Sequence, residues 1–190
     1  MSDWIDIKTL LIIGHLLGVA LGAGGAYMSD FIFLSSIKDR YFTKREIEFM
    51  TLGSRVVWAG VALLVLSGAG LFSLSPDYYL ASSRFLAKMT IVLIIILNGV
   101  VFHYLHFPHI RRHSEQYLHR EHLFHRKSIP LFVSGAISGV SWTSALILGA
   151  LRTVPASYLT IMGVYLVVVT MAIAGSLTMR TLHIKLANLV

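Results

Sequence analysis

Residues 85–107 read FLAKMTIVLIIILNGVVFHYLHF. Between Lys88 and His103 the only polar side chains are Thr90 and Asn98. A bilayer core is crossed by roughly 20 consecutive apolar residues wound as an α-helix, because each backbone donor and acceptor must find its partner inside the segment. This stretch has that length and character, so it is read as a transmembrane helix. It sets the scale for reading the rest of the chain.

Four further stretches meet the same criterion, at about residues 9–34, 53–74, 129–151 and 157–179. The composition agrees: 56% of the 190 residues are hydrophobic and 13% are charged, against about 25% charged in a soluble domain. Mean hydropathy is +0.74. The expected fold is all-α, a single polytopic membrane domain over residues 1–190 with about five transmembrane helices. Prolines mark the boundaries. Ser75-Pro76-Asp77 ends the second span, and Phe107-Pro108 ends or kinks the third, since proline lacks a donor and clashes with the preceding turn. Pro130 suits the first turn of the fourth span and Pro155 the start of the fifth. The first span opens with Asp3 and Asp6 rather than a basic stretch, so it reads as a mature helix and not as a signal peptide.

Basic residues give the orientation. Twelve of the sixteen Lys and Arg fall on one side of this topology, among them Lys38, Lys44, Arg45, Arg55, Arg126 and Arg180. Lys8, Arg84, Lys88 and Arg152 fall on the other. The heavy side is expected to be cytoplasmic, which puts the N-terminus outside and the C-terminus inside a bacterial-type inner membrane. The net charge of +7 is then a topology signal directed at anionic lipid, and nucleic acid is not an expected partner. Cysteine is absent, which excludes disulfides and thiolate-bound clusters. The chain has no P-loop, no Gly-x-Ser-x-Gly elbow and no His-Glu-x-x-His pattern.

Ionisable groups inside the spans are costly and mark candidate sites. His15 lies near the outer end of the first span, on the same helical face as Gly18, Gly22 and Gly25. That stripe has two readings: close helix–helix packing, or a glycine wall for a flat cofactor with His15 as its ligand. Asp30, near the inner end, is expected to pair with Arg55 on the antiparallel second span. In the third span Lys88 and His103 are fifteen residues apart, about 22 Å along a helix axis, so one metal cannot bind both. His15 and Lys88 form an outer layer. His103, His106 and His183 form an inner one, and Met89 or Met162 offers an outer thioether. The loop between the third and fourth spans carries His109, His113, His119, His122 and His125. It reads either as an interfacial amphipathic helix or as a transition-metal site. Ser134, Ser138, Ser141 and Ser144 on the fourth span read as packing residues or as a polar cavity wall.

The residues His15, Leu66-Ser67-Gly68-Ala69-Gly70 and Phe85-Leu86-Ala87-Lys88 through His103-Tyr104 resemble the membrane superfamily of the HemJ-type protoporphyrinogen oxidases and the copper-resistance protein CopD. The resemblance covers roughly residues 9–107. It implies haem b held near His15 and Lys88, and a role in electron transfer or as a membrane oxidoreductase. Such a protein would work with a redox partner or quinone in the lipid bilayer, with oligomerisation open. The alternative is a copper or zinc transporter or permease with a His-rich cytoplasmic entrance.

Overall fold

The computed structural model describes residues 6–39, 43–106, 108, 121–151 and 153–187, with side chains for all of these except 37–39, 106, 121–128 and 183–187. Every described element is helical: α1 (Ile7–Asp39), α2 (Lys44–Leu74), the short α3 (Pro76–Leu80), α4 (Ser83–Val101), a π-helical turn (Phe102–His106), α5 (Glu121–Ala150) and α6 (Tyr158–Ala187). Five of them are long and apolar enough to cross a membrane, so the chain is a multi-pass all-α bundle. Exposed Leu10, Leu17, Phe31, Leu66, Leu93, Leu159 and Met171 give it an apolar outer surface, as lipid requires.

The helices outrun the apolar stretches that reveal them. α2 starts at Lys44, well before residue 53, because Thr43 and Glu46 form a capping box. The Glu46 N–H donates to Thr43 Oγ1 at 3.1 Å and the Thr43 N–H donates to Glu46 Oε2 at 2.7 Å. Two N–H groups that helix geometry leaves unpaired are thereby satisfied. α5 begins at Glu121, so Pro130 sits inside it rather than in its first turn. The other boundaries fall as the prolines predict. α2 ends at Leu74 ahead of Pro76, and Ser157 caps α6, accepting from the Thr160 N–H at 3.2 Å. α4 passes into the π turn just before Pro108. Histidines 109, 113 and 119 of the loop lie outside the described residues.

α1 and α2 form a tightly apposed antiparallel pair, while α4 packs chiefly on α5 and α6. Two apolar clusters hold these groups together. The larger joins Ala23, Val61, Leu64, Ile91, Ile95, Trp142 and Tyr165. The smaller, at the His103 end of the bundle (the inner end in the expected orientation, by which inner and outer are named below), joins Phe33, Ile47, Met50, Leu131 and Phe132. Interhelical hydrogen bonds add register. Asn98 Nδ2 donates to the Ser134 carbonyl at 3.0 Å and Ser134 Oγ donates to Asn98 Oδ1 at 2.9 Å, clamping α4 to α5. Ser141 and Tyr165 hydroxyls meet at 2.8 Å between α5 and α6.

Candidate functional site

The glycine stripe of α1 lies against α2. A Cβ at Gly18 would fall 2.7 Å from the Leu64 amide nitrogen and 2.9 Å from the Gly60 carbonyl oxygen. A Cβ at Gly25 would fall 2.9 Å from Val57 Cγ2, and one at Gly22 would collide with the indole of Trp142. The wall that a flat cofactor would need is thus covered by the α2 backbone and by Trp142.

His15 sits at the outer end of this seam. Its Nδ1 is 3.2 Å from Ser67 Oγ, and its Cε1 would be 3.5 Å from a Cβ on Gly68. Lys88 shares the layer. Phe72 of α2 stacks on Phe85 of α4 with ring centroids 5.8 Å apart, and Lys88 is one turn inward from Phe85, as Gly68 is from Phe72. The Lys88 ammonium lies 5.9 Å from the Phe85 ring centroid. A haem beside His15 would need a pocket on the order of several hundred Å³. A cleft of about 350 Å³ does open between α4, α5 and α6, but Gly139, Thr143, Ile147, Val164 and Val168 line it and, among the described residues, no imidazole does. Gly18, Gly22 and Gly25 are committed to packing, and His15 meets Ser67 of α2.

The inner layer is separate. His103 Nδ1 is 3.2 Å from Ser54 Oγ. Ser54 and Ser67 lie on one helix, thirteen residues apart, so the two histidine layers are separated by about 20 Å. Among the described residues no group of three or more His, Asp or Glu is placed to hold a metal ion. The side chains of His106 and His183 lie outside the described residues.

Between α1, α2, α4 and α5, on the inner side of Trp142, lies a cavity of about 80 Å³. Among the described residues Asp30 is the one carboxylate on its wall, with Ser29, Ser54, Asn98, Ser134 and Ser138 supplying hydroxyl and amide groups. Trp58, Trp142 and Phe102 supply aromatic side chains, and among the described residues no Lys or Arg lines it. The expected ion pair with Arg55 does not form. Gly53 and Val57 face α1, and Arg55 lies about 200° around the helix from Gly53, exposed on the far side. Depth alone put Asp30 and Arg55 together; helical phase separates them. On the outer side of the cavity the packing is wholly apolar. A residual void of about 20 Å³ there is bordered by Val19, Val61, Leu64, Val92, Ile96 and Trp142. This layer divides the Asp30 cavity from the His15 layer.

Of the cavity residues, Asp30 and the serines of the fourth span stand out in sequence as polar groups in apolar surroundings. Ser134 and Ser138 take the cavity role, whereas Ser141 serves packing against Tyr165. Ser54, Trp58 and Trp142 carry no comparable local signal, because tertiary placement alone brings them to Asp30. No family model, no curated protein and no solved structure matches the chain.

Proposed function

We propose that this protein is a small-cation permease whose binding site is the Asp30 cavity. The carrying observation is a carboxylate at bilayer depth on a cavity wall that carries several hydroxyl groups and, among the described residues, no Lys or Arg. An intramembrane carboxylate is costly and is retained where it meets a cation or moves a proton. Its wall favours positive charge, and its size admits a few waters or one small ion. The apolar layer around Trp142 would keep the outer and inner sides from being connected at once. In proteoliposomes, cation uptake should proceed with the native chain and fall to the protein-free leak with Asp30→Asn. Equal uptake by both would remove the Asp30 cavity as the transport site.

A haem-b electron-transfer role is a second reading, favoured by the shared layer of His15 and Lys88. It requires His15 to leave Ser67 and α1 to part from α2. A Soret band in detergent-purified protein, lost in His15→Ala, would support it, and a colourless preparation would not. The proposed orientation places the C-terminus in the cytoplasm of a bacterial-type inner membrane. A reporter active only in the cytoplasm should therefore give signal after Lys44 and none near Tyr78; the reverse pattern would invert the topology.

A further inference from the structure

We infer that the cation this cavity is shaped for is a small organic ammonium, such as methylammonium, rather than a bare metal ion. The inference rests on the cation reading above and names the substrate class. Three of the cavity's walls are aromatic, formed by Trp58 of α2, Phe102 of the π turn and Trp142 of α5. An ammonium ion is attracted to the negative face of such rings, most strongly to indole. Its charge is met by Asp30 and its N–H donors by oxygens of the wall, while its methyl group takes the apolar contacts that a hydrated metal cannot use.

A divalent metal asks for something different. Zinc and copper bind through several imidazole or carboxylate ligands converging on one point. Among the described residues Asp30 is the one ligand of that kind on this wall, and no cluster of three supplies more. The Asn98 amide is already engaged at both its oxygen and its nitrogen by Ser134. It is therefore a fixed part of the wall, not a free ligand. The volume of about 80 Å³ sets an upper size, so methylammonium and dimethylammonium should enter and tetrapropylammonium should not.

The cavity carries its own reporter, since two of the three tryptophans in the chain, Trp58 and Trp142, form its wall. Full-length protein in detergent is titrated with methylammonium chloride, with potassium chloride, zinc chloride and tetrapropylammonium chloride as comparisons, and tryptophan emission is followed. Methylammonium should give a saturable change that the other three salts do not. Asp30→Asn should weaken the apparent affinity at least tenfold. Trp58→Phe keeps a ring with a weaker quadrupole, so it should bind several-fold more weakly while remaining folded. A saturable, Asp30-dependent response to zinc or potassium but not to methylammonium overturns the ammonium assignment and leaves the cation site standing. No Asp30-dependent response to any of the salts overturns both. Tight binding of methylammonium that is indifferent to Trp58→Phe removes the aromatic wall from the recognition.

Discussion

Helix α1 meets its surroundings in two ways within a dozen residues. At Gly18, Gly22 and Gly25 a side chain of any size would strike the α2 backbone, Val57 or Trp142. At Ala26, Ser29 and Asp30 the same helix borders a cavity. The difference lies in the opposing helix. α2 offers Gly53 and Gly60 to the first region, so the two backbones approach closely and no space is left. In the second region Met50, Ser54 and Trp58 of α2 line the cavity together with residues of α4 and α5. Without water to drive apolar helices together, close van der Waals packing of small residues is what holds such a bundle. The closed seam thus provides the rigidity against which the polar gap can stay open.

Trp142 joins the two regions, so its removal tests their connection most severely. Its side chain is 3% exposed, covers Gly22 and forms part of the cavity wall. Trp142→Ala should cost about 3–5 kcal/mol, the range for a buried aromatic truncated to alanine, read as a lower thermal unfolding midpoint in detergent. A loss below about 1 kcal/mol would mean that the closed seam stands without its lid.

Gly60→Ala attacks the seam alone. Its Cβ would meet the Gly22 amide nitrogen and lie 2.8 Å from the Gly18 carbonyl oxygen. Both are backbone atoms, so the helices themselves must part. Overpacking of this kind costs about 1–3 kcal/mol. Cation binding at Asp30 should survive in the fraction that remains folded, because Gly60 does not line that cavity.

Much of this architecture is legible in the amino-acid sequence, and the failures share a cause. Hydropathy finds all five spans, because a bilayer demands length and apolarity of each helix independently. Depth along each helix is also legible. His15 and His103 do lie in separate layers, each on its own serine of α2. What the chain does not display is how each helix is rotated about its axis relative to its neighbours. The glycine face of α1 is visible as a stripe, but that it meets Gly60 and Trp142 depends on α2 and α5. Asp30 and Arg55 match in depth and miss in rotation. Ser54, Trp58 and Trp142 belong to the candidate site only through that same rotation.

On the open side, the Asn98–Ser134 clamp holds α4 to α5 beside the cavity. Asn98→Ala removes two hydrogen bonds at 3.0 and 2.9 Å. Interhelical hydrogen bonds in membranes average about 0.6 kcal/mol, so the expected loss is about 1 kcal/mol, smaller than at Gly60. The cavity should widen at the same time, and dimethylammonium should gain on methylammonium in the fluorescence titration. An unchanged preference would place Asn98 in helix packing alone.

The smallest effect is expected at Gly24, and it sharpens the contrast because Gly24 sits between the packed positions of the same helix. A Cβ there would meet nothing within 4 Å, and the residue is exposed on the lipid side of α1. Its neighbours Ala23 and Gly25 turn inward, the first buried at 4% and the second against Val57. With no contact to lose, only the backbone term remains. Alanine is the better helix former by roughly 0.5–1 kcal/mol in a helix interior, so Gly24→Ala should leave the unfolding midpoint unchanged or slightly raised. Measured beside Gly60→Ala under one set of conditions, the pair separates a glycine that lets backbones touch from one that merely faces lipid. A destabilisation at Gly24 as large as that at Gly60 would show that the outer face of α1 is packed as well. A second copy of the chain would then be the surface to look for, by crosslinking through a cysteine placed at position 24.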